Sequence, residues 1–93
     1  MESYIIYIPP KFERQSQKLI QKHSITEDFL EEIKIVLRED PYNISRRYRI
    51  KKLNDIKPGF GQWRIRGGDY RLRYDIFGKV ITLYSINWRD KAY

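Results

Sequence analysis

Four arginines, Arg64, Arg66, Arg71 and Arg73, flank the pair Gly67-Gly68 and alternate with Trp63, Ile65, Tyr70, Leu72 and Tyr74. A period of two puts the arginines on one face of a β-hairpin and the apolar residues on the other. Reading Gly67-Gly68 as a two-residue loop predicts the pairs Arg66 with Asp69, Ile65 with Tyr70, Arg64 with Arg71, and Trp63 with Leu72. Arg64 and Arg71 then face each other directly across the ladder. Like charges in that geometry oppose folding by up to about 1 kcal/mol. An anion between them removes the repulsion, because each guanidinium can donate bidentately to a phosphate. The chemistry these residues suit is the gripping of a phosphodiester. A solvated charged face with splayed arginines is the plainer alternative.

A second turn at Phe77-Gly78-Lys79 is expected to bring Val80, Thr82, Tyr84 and Ile86 onto the basic face, with Asp69 and Asp75 at its ends. Aromatic rings beside arginines suit stacking on single-stranded bases. Trp88, just past Tyr84, is the candidate for base contact, with core packing as the alternative. Trp63, Tyr70 and Tyr74 fall on the apolar parity and are expected in the core.

The elements that must position these residues follow from simple signals. Residues 3–8 read as a strand, stopped by Pro9-Pro10, which suit the start of a helix over 11–22. That helix carries Phe12, Ser16, Leu19 and Ile20 on one side. Ser24-Ile25-Thr26-Glu27 has the form of a capping box. The helix it opens carries Ile25, Phe29, Ile33, Val36 and Leu37 at 3.6-residue spacing and closes at Asp40-Pro41. Strands are expected over 47–53, 62–66, 69–77 and 80–86. The last is apolar on both faces and should be the most buried. Residues 54–60 form a loop and 87–93 a polar tail. The order β-α-α-β-β-β-β predicts a single α+β domain over residues 1–93, with a helical hairpin packed on one face of a mainly antiparallel twisted sheet.

Charge is segregated along the chain. Residues 1–45 hold six Lys/Arg against eight Asp/Glu, and residues 46–93 hold thirteen against four. A concentrated polycation points to a polyanionic partner. The absence of cysteine removes disulfides, thiolate zinc sites and cysteine nucleophiles. One histidine, His23, excludes a two-histidine ribonuclease mechanism and is expected to sit at a helix C-terminus. Glu27, Asp28, Glu31 and Glu32 read as a solvated helix face, so no metal or other cofactor is expected. No stretch approaches the ~18 apolar residues of a membrane helix. The first ten residues do not read as a signal peptide, and a cytoplasmic protein is expected.

The stretch from Trp63 to Tyr74 resembles the central hairpin of the RelE/ParE superfamily of toxins. The tail Ser85-Ile86-Asn87-Trp88-Arg89-Asp90-Lys91-Ala92-Tyr93 resembles that family's closing motif, an arginine followed four residues later by a tyrosine. The resemblance implies a type II toxin–antitoxin system, and in the RelE-like branch a metal-independent endoribonuclease that cuts messenger RNA in the ribosomal A site. The ribose 2′-hydroxyl would attack the adjacent phosphate. By position, Arg64 and Arg71 would hold that phosphate, Arg89 would add charge, and Tyr93 would handle protons. Arg47, Arg49, Lys51 and Lys52, with Arg66 and Arg73, would hold flanking RNA. Some members have lysines in the strand before the turn and a histidine before the tail arginine. Here those positions are Gln62, Arg64 and Trp88, so proton transfer would rest on Tyr93, because arginine keeps its proton. The implied partners are the ribosome, messenger RNA and an acidic, partly helical antitoxin, with operator DNA reached only through that antitoxin. The alternative is a ParE-like, non-enzymatic inhibitor of DNA gyrase, or a basic RNA-binding module.

Overall fold

The structure, a computed structural model, describes residues 3–89. Strand β1, Ile5–Tyr7, gives way at Pro9 and Pro10 to helix α1, Pro10–Gln21. Proline pre-sets the φ of a first helical turn and lacks a donor that turn could not use. After Lys22 the chain reverses at His23, whose φ is +59°. The His23 amide donates to the Ile20 carbonyl at 2.9 Å and the Ser24 amide to the Leu19 carbonyl at 2.9 Å. These are the paired bonds of a Schellman ending.

Ser24 is therefore spent on finishing α1, and the next helix is capped two residues later than expected. Thr26 Oγ1 accepts the Phe29 amide at 3.0 Å and opens α2, Glu27–Glu39. Ile25, Ile33 and Leu37 are buried as expected, joined by Leu30, while Phe29 and Val36 are half-buried.

The sheet is built from β1, β2 (Ile50–Lys52), β3 (Trp63–Gly67), β4 (Tyr70–Phe77) and β5 (Val80–Trp88), in the spatial order β1-β5-β4-β3-β2. Only β1, which runs parallel to β5, departs from antiparallel pairing. The element order and the α+β class are those the sequence predicts. Strand β2 is shorter than residues 47–53. The Asn43 side chain bonds both the amide of Tyr48, at 3.1 Å, and its carbonyl, at 2.8 Å, and so withholds that residue from the ladder.

Phe12, Leu30, Ile33 and Leu37 pack on Ile65, Leu72, Tyr74, Ile81, Leu83 and Ile86, all on one sheet face. Burying a side chain of this size stabilises by about 1.5–3 kcal/mol. Tyr74 is fully enclosed, and its hydroxyl donates to the Pro41 carbonyl at 2.7 Å. Burial, with the Asp40 charge adding to it, pushes the Tyr74 phenol well above its ordinary range. The most enclosed strand is the central β4, with four of eight residues buried, rather than β5, with three of nine.

The β3–β4 register differs from the expected one. Gly67 belongs to the strand and pairs with Tyr70, and Gly68-Asp69 is the loop. Gly68 supplies the positive φ, +55°, that this loop needs. Gly67 serves packing: a Cβ there would lie 3.0 Å from Phe29 Cζ and 3.3 Å from Ile33 Cδ1. Its missing side chain lets α2 approach the sheet. The resulting pairs are Arg66 with Arg71, Ile65 with Leu72, Arg64 with Arg73, and Trp63 with Tyr74. Arg64 and Arg71 are diagonal neighbours, not a direct pair. Because the slip moves both strands by one residue, every side chain keeps its expected face.

Strand β5 carries a second correction. The register shifts at the Arg73/Tyr74 step, leaving Tyr84 as an extra residue. Beyond this bulge the parity inverts. Ile86 pairs with Leu72 and is buried in the core, while Ser85 and Asn87 stand opposite Arg73 and Arg71. The strand also continues to Trp88, past the expected end at residue 86. Beyond Thr82 its outer edge has no β1 partner. Gln15 of α1 covers that edge, accepting the Ile86 amide at 3.0 Å and donating to Asn87 Oδ1 at 3.2 Å. Among the described residues no helix is long and apolar enough to cross a membrane.

Candidate nucleic-acid interface

The sheet face turned away from the helices carries two rows of cations. One rung runs Lys51, Arg64, Arg73 across β2, β3 and β4. The next runs Arg66, Arg71, and the Arg66 amide donates to the Arg49 carbonyl at 2.9 Å, which brings Arg49 beside it. Directly opposed side chains lie about 4.5–5.5 Å apart at Cβ, so the six charges form one continuous field. Arg71 is the most enclosed, at 8% exposure, and its Nη1 donates to the Tyr70 carbonyl at 3.3 Å. Arg49, Lys51 and Arg66 are exposed, and Arg64 and Arg73 are half-buried. Five of the six are guanidiniums, whose forked donors match phosphate oxygens.

Other predicted site residues lie elsewhere. Lys52 pairs with Trp63 and so falls on the opposite parity. Arg47 precedes β2, with its guanidinium 5.4 Å from the centre of the Tyr48 ring. Trp88 pairs with Tyr70 on the helix side of the sheet, because the Tyr84 bulge reverses the parity that would have put it on the basic face. Its ring stands edge-on to Tyr70 at 5.6 Å, and Tyr70 in turn meets Phe29 at 6.4 Å. Arg89 is docked on the β3–β4 turn, at the Arg66/Arg71 end of the hairpin. Its amide donates to the Asp69 carbonyl at 2.9 Å, its Nη1 is 3.6 Å from Asp69 Oδ1, and its guanidinium lies 5.7 Å from the Trp88 ring centre. Tyr93 lies outside the described residues.

Asp75 does not sit at the rim of the charged face as expected. It is 2% exposed, and its carboxylate accepts the amides of Gly59, Gly61 and Gln62 at 3.0, 2.9 and 3.0 Å. Arg73 completes the grip, donating Nε to the Gly61 carbonyl at 3.0 Å and Nη2 to the Phe60 carbonyl at 2.6 Å, with Tyr84 stacked 5.3 Å away. The loop before β3 is thereby held against the basic face. The sequence reading missed this role. Its one signal is an acid inside a cationic segment, on a strand face that it shares with Arg71 and Arg73.

No family model matches the chain, and no curated protein matches it by sequence. Solved structures do match. The archaeal RelE–RelB complex from Pyrococcus horikoshii contains a chain 26% identical to this one, with 96% of this chain and 98% of that one covered and a TM-score of 0.68. The DinJ–YafQ toxin–antitoxin complex of E. coli matches at 15% identity over 97% of each chain, with a TM-score of 0.72. A copper-bound toxin variant from Helicobacter pylori matches at 14% identity over 97% of this chain and 99% of its own, with a TM-score of 0.74. Over nearly its whole length, then, the chain has the fold of the RelE-like toxins.

Proposed function

We propose that this protein is the toxin of a type II toxin–antitoxin system and cuts messenger RNA on the ribosome without a metal. The observation that carries this reading is the doubled cationic rung on the open face of the sheet: Lys51, Arg64 and Arg73 beside Arg49, Arg66 and Arg71. Placing like charges opposite one another weakens a sheet. A phosphodiester chain lying across the rungs turns that weakness into binding.

In the reaction, the ribose 2′-oxygen bonds to the adjacent phosphorus and the bond to the 5′-oxygen breaks. The products are a 2′,3′-cyclic phosphate and a 5′-hydroxyl, and the proton lost at the 2′-oxygen is balanced by one gained at the leaving oxygen. Arg64 and Arg71, diagonal across β3 and β4, would neutralise the extra negative charge of the pentavalent phosphorus. Arginine cannot exchange a proton near neutrality. The proton transfers are assigned to Tyr93 and Arg89 is assigned a supporting charge, in line with the superfamily's tail motif. The matched E. coli structure is a toxin–antitoxin complex and the Pyrococcus structure a RelE–RelB complex, which supports a cognate antitoxin for this chain.

Primer extension on messages from a translating extract tests the proposal. New 5′ ends are expected with the wild-type protein and none with Arg71→Ala. Arg71→Lys, which retains the charge but not the forked donors, is expected to fold and to cut far more slowly. No new ends at saturating wild-type protein would rule out cleavage.

A further inference from the structure

Phe60 is an exposed apolar residue in a loop held by side chains of the basic face. Its side chain is 58% exposed. A single exposed phenylalanine needs no explanation, but loops are ordinarily mobile, and this one is fixed from both sides. Asp75 takes the amides of Gly59, Gly61 and Gln62, and Arg73 takes the carbonyls of Phe60 and Gly61. The Phe60 amide itself donates to the Lys57 carbonyl at 3.1 Å. Gly61 is pressed so closely onto the sheet that a Cβ there would lie 2.6 Å from Tyr84 Cδ2 and 3.0 Å from Arg73 Nε. Both residues that hold the loop belong to the outward side of β4, and Arg73 is the direct cross-strand neighbour of Arg64.

An aromatic side chain is thus presented to solvent from a rigid support, one guanidinium away from the phosphate-binding rungs. Single-stranded nucleic acid is gripped by this combination: cations along the backbone and a ring on which a base can stack. A preordered ring loses little entropy on binding. We infer that Phe60 is a stacking platform for one unpaired base of the RNA whose phosphates lie on Arg64, Arg66 and Arg71. The inference rests on the RNA-binding reading of the basic face and adds a base subsite to it.

The test uses the full chain and a short single-stranded oligoribonucleotide with 2′-O-methyl groups, which cannot be cut, carrying 2-aminopurine at one position in turn. With the wild-type protein, the fluorescence of one position should be quenched by stacking. Phe60→Ala should abolish that quenching and weaken binding by roughly tenfold. The slope of log affinity against log salt should not change, because no charge is lost. Phe60→Trp should restore both affinity and quenching, whereas Phe60→Leu, which is apolar but has no ring, should behave like Phe60→Ala. Wild-type affinity and quenching in Phe60→Leu would show an apolar contact rather than stacking and overturn the inference. Arg66→Ala, measured alongside, separates the two readings: it should weaken binding and reduce the salt slope by about one. If Arg66→Ala binds weakly and Phe60→Ala binds like wild type, only the stacking site is wrong. If neither variant differs from wild type, the RNA-binding face itself is wrong.

Discussion

Arg73 and Asp75, on the outward side of β4, hold the same residue from its two ends: Arg73 Nε donates to the Gly61 carbonyl at 3.0 Å, and Asp75 Oδ2 accepts the Gly61 amide at 2.9 Å. A buried carboxylate is tolerable only when its lone pairs are satisfied. Asp75 meets that condition with three backbone donors from one loop. The acid therefore shapes the basic face without sitting on its surface.

Replacing Asp75 with asparagine tests this clamp. The amide group turns an acceptor into a donor that faces backbone N–H groups. Leaving them unsatisfied should cost about 2–3 kcal/mol. A fall of roughly 10 °C or more in Tm is expected for a chain of this size. Hydrogen exchange at Gly59, Gly61 and Gln62 should accelerate ahead of the rest of the sheet. An unchanged melting temperature would mean that the loop is held by something other than this carboxylate.

Arg66 and Arg73 stand on the same face and should behave in opposite ways when truncated. Arg66 is exposed and directly opposite Arg71, so Arg66→Ala relieves a like-charge pair and should leave Tm unchanged or raise it slightly. Arg73 anchors two loop carbonyls, and Arg73→Ala should lower Tm by several degrees. Growth arrest on induction should be reduced by both, but only Arg73→Ala should lose it through the fold. Thermal melts of the two purified variants decide the matter: equal stability would refute the division of labour.

Much of this arrangement is legible in the sequence, and the gaps have physical causes. Strict alternation from Trp63 to Tyr74 fixes which residues share a face, because parity survives a slip of one residue on each strand. The register is not legible, because a glycine pair can serve either a turn or a close helix approach. Here Gly67 does the second and Gly68 the first. The bulge at Tyr84 is hidden because residues 80–86 are apolar on both faces and no glycine or proline marks the change of parity. Trp88 and Ile86 are misplaced for that one reason. Ser24 and Thr26 can each cap a helix in isolation, and the Schellman ending of α1 decides between them. The Asp75 clamp joins a strand to a loop more than a dozen residues earlier, a separation that no local pattern reports.

Asp40 gives the fold a defined acid sensitivity. Burial alone would raise its carboxyl. That effect is outweighed by the Ser45 hydroxyl at 2.6 Å, the amides of Ser45 and Ile44 at 3.1 and 2.8 Å, and the charge of Arg47, so the group titrates below its ordinary 3.8. A carboxyl bound more tightly as the anion in the folded state stabilises above its unfolded pKa and loses that contribution as pH falls through the lower folded value. Asp40→Asn should therefore be less stable than wild type by a constant margin from pH 7 to about pH 5, and the margin should narrow below about pH 4. Urea titrations of the pair at pH 7, 5 and 3 measure this. A margin that grows on acidification would reverse the assigned sign.

His23 occupies a position where a side chain is a liability. Its φ of +59° is left-handed, it closes the Schellman ending of α1, and it is exposed, so replacing it removes no core packing. A residue with a Cβ in this conformation costs about 1 kcal/mol relative to glycine, which is why glycine dominates this position in helix endings. His23→Gly should raise stability by about that amount, or roughly 4–8 °C in Tm. His23→Ala keeps the Cβ and removes the ring, so it should gain nothing. If the imidazole instead stabilises the end of α1, the order reverses, and both variants should be less stable than wild type. Melting all three proteins separates backbone strain from a stabilising ring, and strain predicts an advantage for glycine alone.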